Sequence, residues 1–268
     1  MSQTILELAN IHKTFQKGTP NENHVLRGLD LTVHKGDYIS IIGGNGSGKS
    51  TLLNATAGVF RLDKGNIHLN NDDITNHSEE KRAIAISRVF QDPMMGTAPR
   101  MTVAENLAIA LNRGNKRGFN RTLNEENYNR FEQILADVGL NLEDKLTSEV
   151  GSLSGGQRQV IALLMATIKK PDILLLDEHI AALDPKATKQ VMRLTEQRIK
   201  ENSITSLMVT HNMSHAIEYG NRLIMMDQGR VVIDISSEEK ENLTVPELVE
   251  LFNRESGKEV VDNQMLFY

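Results

Sequence analysis

Residues Gly43-Gly44-Asn45-Gly46-Ser47-Gly48-Lys49-Ser50-Thr51 run as glycine, four residues, glycine, lysine and hydroxyl, a spacing suited to holding phosphate. Glycines let successive backbone N–H groups turn inward around an anion, and a helix beginning at Thr51 would add the positive end of its dipole. Lys49 then brings a point charge to the β- and γ-phosphates of a nucleoside triphosphate; the Ser50 hydroxyl is placed for Mg²⁺ and Thr51 for the α-phosphate. A second set of reactive residues, Asp177-Glu178, ends the apolar run Ile173-Leu174-Leu175-Leu176. Carboxylates at the end of a buried strand stand where α/β sheets bind ligands. Asp177 suits the Mg²⁺ shell, and Glu178 suits a general base that takes a proton from attacking water. Acidic residues after a strand also serve as plain helix caps; their occurrence together with the phosphate loop favours chemistry.

These residues need elements to position them. Leu6 and Leu8, and again Leu29, Leu31 and Val33, alternate as half-exposed strands do, and predict an antiparallel layer. Tyr38 to Ile42 is a continuous apolar run ending at Gly43, as expected of a strand buried on both faces. The same form returns at Ile173 to Leu176, Leu207 to Val209 and Leu223 to Met226, with helical stretches between several of them, which predicts a parallel sheet covered by helices. The middle differs. Thr102 to Asn112 reads as a helix with Thr102 and Glu105 at capping-box spacing and Gly114 beyond its end, and Glu126 to Val138 as another stopped by Gly139. With no strand between them, they predict an inserted helical lobe. Val231 to Ile235 reads as a strand and Pro246 to Asn253 as a short helix starting near Thr244 or Val245, a packing or dimer-stabilising extension.

The 268 residues have 39% hydrophobic and 24% charged side chains, which excludes wholesale disorder. No apolar run approaches the roughly 20 residues that cross a bilayer. Met1 to Asn10 lacks the basic start and apolar block of a secretory signal, so the chain is expected to stay in a reducing cytosol. Cysteine is absent, which removes disulfides, thiolate metal sites and thiol nucleophiles. The net charge of -5 argues against a general grip on nucleic acid, and no nucleic-acid partner is expected. Arg113, Lys116, Arg117 and Arg121 form a local basic patch, read as a solvated loop.

A phosphate loop alone serves many enzymes. The discriminating segment is Leu153-Ser154-Gly155-Gly156-Gln157-Arg158-Gln159, in which Ser154 can cap a helix with Gln157 at capping-box spacing. It resembles the signature of the ABC ATPase family, and it lies upstream of the Asp177-Glu178 strand, where that family carries it. Phe15, Gln91, the Ala181-Ala182-Leu183-Asp184 segment and His211 follow in the family's order, so nearly the whole chain is covered. The resemblance implies an α/β fold: a P-loop NTPase core with a mainly parallel sheet, an antiparallel β layer near the N-terminus and the inserted helical lobe. The expected segments are 1–91, 92–153, 154–240 and a C-terminal helical extension, 241–268. It implies that ATP and Mg²⁺ are used. Phe15 would stack on adenine, and Gln91 would reach Mg²⁺ or the water. His211 would contact the γ-phosphate and orient Glu178, and Asp184 would take part in communication across a dimer. Ser154, Gly155, Gly156 and Gln157 would meet ATP held by a second copy of the chain, in a head-to-tail sandwich.

There are departures from the family's commonest form. Gly44 stands where many members have Pro, Ile180 where a small polar residue is usual, and Ala181 where Ser is frequent. None removes a phosphate, metal or base ligand, although Ile180 bears on how subunits communicate. His179, beside Glu178, is expected at the surface or an interface. The implied function is the ATP-hydrolysing subunit of a transporter at the cytoplasmic face of the membrane. Its partners would be separate transmembrane permease subunits and an extracytoplasmic substrate-binding protein. A free-standing ATPase chain is typical of importers, with export the alternative. Gly96-Thr97-Ala98-Pro99 and Glu105 to Ala110 are similar to segments of amino-acid-type uptake ATPases. The rival is a soluble ATPase of DNA repair or translation, which usually shows tandem units, coiled-coil arms or zinc cysteines. A GTPase is disfavoured because Asn115-Lys116-Arg117-Gly118 lacks the Asp that reads guanine.

Overall fold

The structure is a computed structural model and describes residues 3–115 and 122–256. The chain opens with strands β1 (Thr4–Phe15), β2 (Asn23–His34) and β3 (Tyr38–Ile42), then helix α1 (Lys49–Ala57), strands β4 (Lys64–Leu69) and β5 (Asp72–Asp73) and the short α2 (Glu79–Arg82). Strand β6 (Ile86–Val89) follows, then α3 (Val103–Leu111), α4 (Glu125–Ala136), α5 (Gly155–Thr167), β7 (Ile173–Asp177) and α6 (Pro185–Asn202). The last elements are β8 (Thr205–Val209), α7 (Met213–Glu218), β9 (Arg222–Asp227), β10 (Arg230–Ile235), α8 (Ser237–Lys240) and α9 (Val245–Ser256). They make two compact units. One is built from the chain up to Arg82 and again from Thr205 onward; the other is Ala83–Ile204.

In the first unit β1 is the middle of an antiparallel sheet of order β2-β1-β4-β5, with Leu8 opposite Leu31 on one side and Ile67 on the other. The alternating leucines of β1 and β2 are buried, as period-2 patterning requires. Strand β3 is buried throughout and pairs in parallel with β8 and with β9, and β9 turns back antiparallel into β10. Its Ile-rich sequence suits a strand covered on both faces. Leu248 and Phe252 of α9 are buried with Met213, Ala216, Leu223, Met225, Ile233 and Ile235, so the C-terminal helix packs into this core.

Buried Arg82 staples α1. It donates to the carbonyls of Ala55 (2.8 Å) and Thr56 (2.9 Å) in the last turn, and to Thr75 (2.9 Å) and His77 (3.3 Å). It thereby places a cation at the C-terminal end of the helix dipole, where the Ala55 carbonyl also accepts from the Gly58 N–H at 3.2 Å. Gly58 lets it pass, because a Cβ there would stand 2.9 Å from the Arg82 side chain.

In the second unit β6 and β7 are parallel, Val89 opposite Leu176, and α5 packs on α3, α6 and β6. The capping box at the head of α3 is present: Thr102 Oγ accepts from the Glu105 N–H at 3.2 Å, and Glu105 accepts from the Thr102 N–H at 2.7 Å. Helix α4 begins at Glu125, one residue before the expected start, because Asn124 caps it by accepting from the Asn127 N–H at 2.9 Å. The basic patch is corrected in part. Arg113 is no solvated side chain: its guanidinium is half-buried and bonded to Ser87 Oγ, to the Lys169 carbonyl and, at 3.3 Å, to the Ala166 carbonyl near the end of α5. Lys116, Arg117 and Arg121 lie outside the described residues. Among the described residues no helix is long and apolar enough to cross a membrane.

Candidate functional site

In the first unit the chain leaves β3 at Gly43 with φ +149°. A Cβ there would stand 2.2 Å from the Met226 carbonyl oxygen and 2.8 Å from Ser47 Oγ, so only glycine fits. Gly48 (φ +102°) is the N-cap of α1 and makes no side-chain cap hydrogen bond to the head of that helix. Gly44 is not in the left-handed region, so its backbone sets no demand for glycine. Lys49 is buried, and its ammonium donates to the Gly43 carbonyl (2.8 Å) and the Gly44 carbonyl (3.1 Å), which holds the charge at the mouth of the loop. Ser50 at the head of α1 is exposed and Thr51 half-buried. Asn45 and Gly46 are exposed at the tip, while Ser47 is buried.

The loop is braced by a residue to which the sequence analysis gives no such role. The Gly229 N–H donates to the Ser47 carbonyl at 2.9 Å, while the Gly229 carbonyl accepts from the Arg27 N–H at 3.2 Å. A Cβ on Gly229 would lie 1.9 Å from the Val25 carbonyl, and that close approach fixes glycine there. His211 follows β8, the parallel neighbour of β3, so it and the phosphate loop leave the same end of the sheet. Asn212 caps α7 by accepting from the His215 N–H at 2.9 Å. Burial pushes the His215 imidazole below its ordinary value, as does repulsion from His211, against the pull of Glu218. Phe15 ends β1 with 37% of its surface exposed. Phe60 meets its ring edge-on at 5.3 Å, and the Lys13 ammonium lies over both rings while donating to the Arg61 carbonyl at 2.7 Å. The aromatic is therefore fixed on one side and open on the other.

In the second unit Gln91 follows β6 and Asp177-Glu178 end β7, so the amide and both carboxylates leave the same end of a parallel pair. Gln91 is exposed. Asp177 pairs with Arg88 at 2.5 Å. Glu178 has φ +45°, a left-handed conformation that costs a non-glycine residue roughly 1–2 kcal/mol. The residues after it hold that conformation: the Ala181 N–H donates to the Glu178 carbonyl at 3.0 Å, and His179 and Ile180 are buried. This corrects the surface expectation for His179, which is 1% exposed with its Nε2 3.2 Å from Thr195 Oγ on α6. Ile180 at the unusual position is core.

Ser154 caps α5. Its Oγ accepts from the Gln157 N–H at 3.3 Å, and Gln157 accepts from the Ser154 N–H at 3.1 Å. A Cβ on Gly155 would make an ordinary contact with Leu183 Cδ2 at 3.9 Å; a Cβ on Gly156 would meet Ala187 Cβ at 2.8 Å. Asp184 caps α6, accepting from the N–H groups of Lys186 (2.9 Å) and Ala187 (3.0 Å). Both helix starts line a cavity of about 540 Å³ that also takes in Asn141 and Gln190. Among the described residues no group of three or more His, Asp or Glu stands together as a metal cage. The oxygen donors named for Mg²⁺ are a hydroxyl, an amide and one carboxylate, the sparse hard set that ion accepts alongside substrate phosphates.

Comparison with known proteins places this geometry. The ABC transporter family matches over residues 26–181. A tyrosine transport ATP-binding protein of Clostridioides difficile is 46% identical over 92% of this chain and 98% of its own length. The spermidine/putrescine import ATP-binding protein PotA of Haemophilus ducreyi is 35% identical over 92% of this chain, which spans 63% of that longer protein. Among solved structures, an ATP-binding cassette dimer in a post-hydrolysis state with ADP and Pi has TM-score 0.75 and 29% identity, over 87% of this chain and 99% of that one. The cbiO1 subunit from Clostridium perfringens, part of the ABC transporter complex cbiONQ, has TM-score 0.73 and 26% identity, over 94% of this chain and 95% of that one. The family match over more than half of the chain, and the relatives that share nearly its whole length, make this chain a member of the ABC transporter family, the ATP-binding subunit whose hydrolysis is coupled to transport.

Proposed function

We propose that this chain drives import of a small solute, of the amino-acid class, through separate permease subunits at the cytoplasmic face of the membrane, with an extracytoplasmic binding protein delivering the cargo. The carrying observation is the 46% identity with a tyrosine transport ATP-binding protein along 98% of that protein. The exposed apolar side chains Met94 (38%) and Met95 (70%), just past Gln91, support a protein partner at that turn.

Two copies would hold ATP between them. Phe15 stacks on adenine with its open face, the Gly43 to Gly48 backbone and Lys49 take the phosphates, and Thr51 stands by the α-phosphate. When bound, Mg²⁺ supplies charge neutralisation at the β- and γ-phosphates, with Ser50, Gln91 and, through water, Asp177 as its donors. Glu178 takes the proton of the attacking water, and His211 orients it. Ser154 to Gln157 offer the start of α5 to the partner's γ-phosphate, beside Asp184. ATP then binds the copies together, and cleavage of the γ-phosphate lets them part.

Glu178→Gln removes the base and keeps the shape. We expect turnover to fall by about 10²–10⁴-fold, while ATP converts the purified variant from monomer to dimer in size-exclusion chromatography. Wild-type turnover by the variant in the complete transporter overturns the base assignment, and failure to copurify with a membrane permease overturns the separate-permease reading. Uptake of labelled tyrosine against spermidine in proteoliposomes decides the cargo class.

A further inference from the structure

Arg88, on β6, has no part in the mechanism above, yet its guanidinium lies between two functional segments. On one side Nη2 is 2.5 Å from Asp177 Oδ2, with both side chains 14% exposed. On the other it covers the ring of Phe90, 4.5 Å from the centroid. Phe90 directly precedes Gln91. Its carbonyl accepts from Gln159 Nε2 of α5 at 3.2 Å, and its ring packs against the turn at Gly96, where a Cβ would stand 3.4 Å away. Gln159 itself is fully buried.

A half-buried carboxylate without a cation beside it is costly, and a carboxylate whose charge is shared between a guanidinium and a second cation holds each less strongly than it would hold either alone. Arginine cannot lose its proton, so when another cation takes the charge of Asp177 the guanidinium can only share or shift. Its second neighbour, the Phe90 ring, stabilises it through the face of the aromatic.

We propose that Arg88 is a positioning residue: it is the counter-ion of Asp177 before Mg·ATP binds, it yields that carboxylate to the water shell of Mg²⁺, and by leaning on Phe90 it carries the change to the Gln91 segment. This deepens the proposed function and rests on its assignment of Mg²⁺ to Asp177. It gives the carboxylate two partners in turn, so that Gln91 is repositioned only when metal and nucleotide arrive together.

The test uses the full chain carrying Glu178→Gln, which binds without turning over, and titrates Mg²⁺ against a fluorescent ATP analogue. Arg88→Met removes the competing charge, so the half-saturating Mg²⁺ concentration should fall about fivefold, the scale of one partly screened ion pair. Arg88→Gln, which keeps a hydrogen-bond donor for Asp177 if the methionine variant folds poorly, should shift it in the same direction. Because the sequence contains no tryptophan, Phe90→Trp is a single fluorescent reporter. Its emission should change when Mg²⁺ joins the ATP complex with Arg88 present and stay fixed with Arg88→Gln. An unchanged or higher Mg²⁺ requirement in the Arg88 variants, or the same emission change in both backgrounds, overturns the inference. Binding that ignores Mg²⁺ in the parent protein overturns the magnesium assignment itself, and this inference with it.

Discussion

A methyl group at Gly155 makes only an ordinary contact, with Leu183 at 3.9 Å, and one at Gly156 runs into Ala187. The two adjacent glycines of the signature therefore answer to different constraints. Gly156→Ala pushes two β-carbons to 2.8 Å, an overpacking that should cost about 1–3 kcal/mol. Gly155→Ala should leave the melting temperature unchanged or raise it, since alanine favours a helix over glycine by up to about 1 kcal/mol. Both should weaken ATP-driven dimerisation of the Glu178→Gln protein. Thermal denaturation beside size-exclusion chromatography separates them; equal melting temperatures would show that the contact with Ala187 carries no weight. Placement was legible at this scale because spacing marks it: glycine-lysine-serine directly after the buried β3, and two carboxylates where β7 ends. Arg88 was not, because an arginine on a strand announces no partner until the fold brings Asp177 beside it.

Helix α1 carries the phosphate loop at its head and Arg82 at its tail. Arg82→Met removes four hydrogen bonds to buried or half-buried carbonyls. It should cost about 3 kcal/mol, roughly 5–10 °C in melting temperature, read by calorimetry; a loss under about 1 kcal/mol would mean that water replaces the guanidinium. Elements with a strong local signal were readable, such as the capped α3 and the apolar β3, β7, β8 and β9. The 18-residue α6 is less legible: Asp184-Pro185 marks its start, but most of its side chains are polar and only five of them are buried. Strands β4, β5 and β6 went unassigned. Asp72–Asp73 has no apolar alternation, and β6 places Ser87 and Arg88 among its four residues, so their pairing comes from tertiary neighbours.

For the molecule as a whole, pH reports on how its last segment is fastened. Lys240 is 4% exposed, and its ammonium donates to the carbonyls of Tyr219 and, at 2.7 Å, Gly220. Burial pushes it down to about 8 from the ordinary 10.5. The unfolded chain therefore holds more protons than the folded one between those two values, and stability rises as pH climbs through that window. Below it both forms are charged, and the contribution is constant. The wild type should gain roughly 4–8 °C over Lys240→Met between pH 7.5 and pH 10; parallel melting profiles would place the lysine in water.

The bond from the Gly229 N–H to the Ser47 carbonyl, with β8 and β9 on either side of β3, bears on the order of synthesis. The phosphate loop is made early, and the residues that shape it are made late. At about 5–20 residues per second, ~10–40 s separate Lys49 from Gly229 at the ribosome. Through that interval the nascent chain contains the complete motif but no nucleotide pocket, and the apolar strand Tyr38–Ile42 waits without its neighbours. ATP can reward folding only once Gly229 has been made, so a fragment ending before Thr205 would contain the whole phosphate-loop sequence and bind no nucleotide.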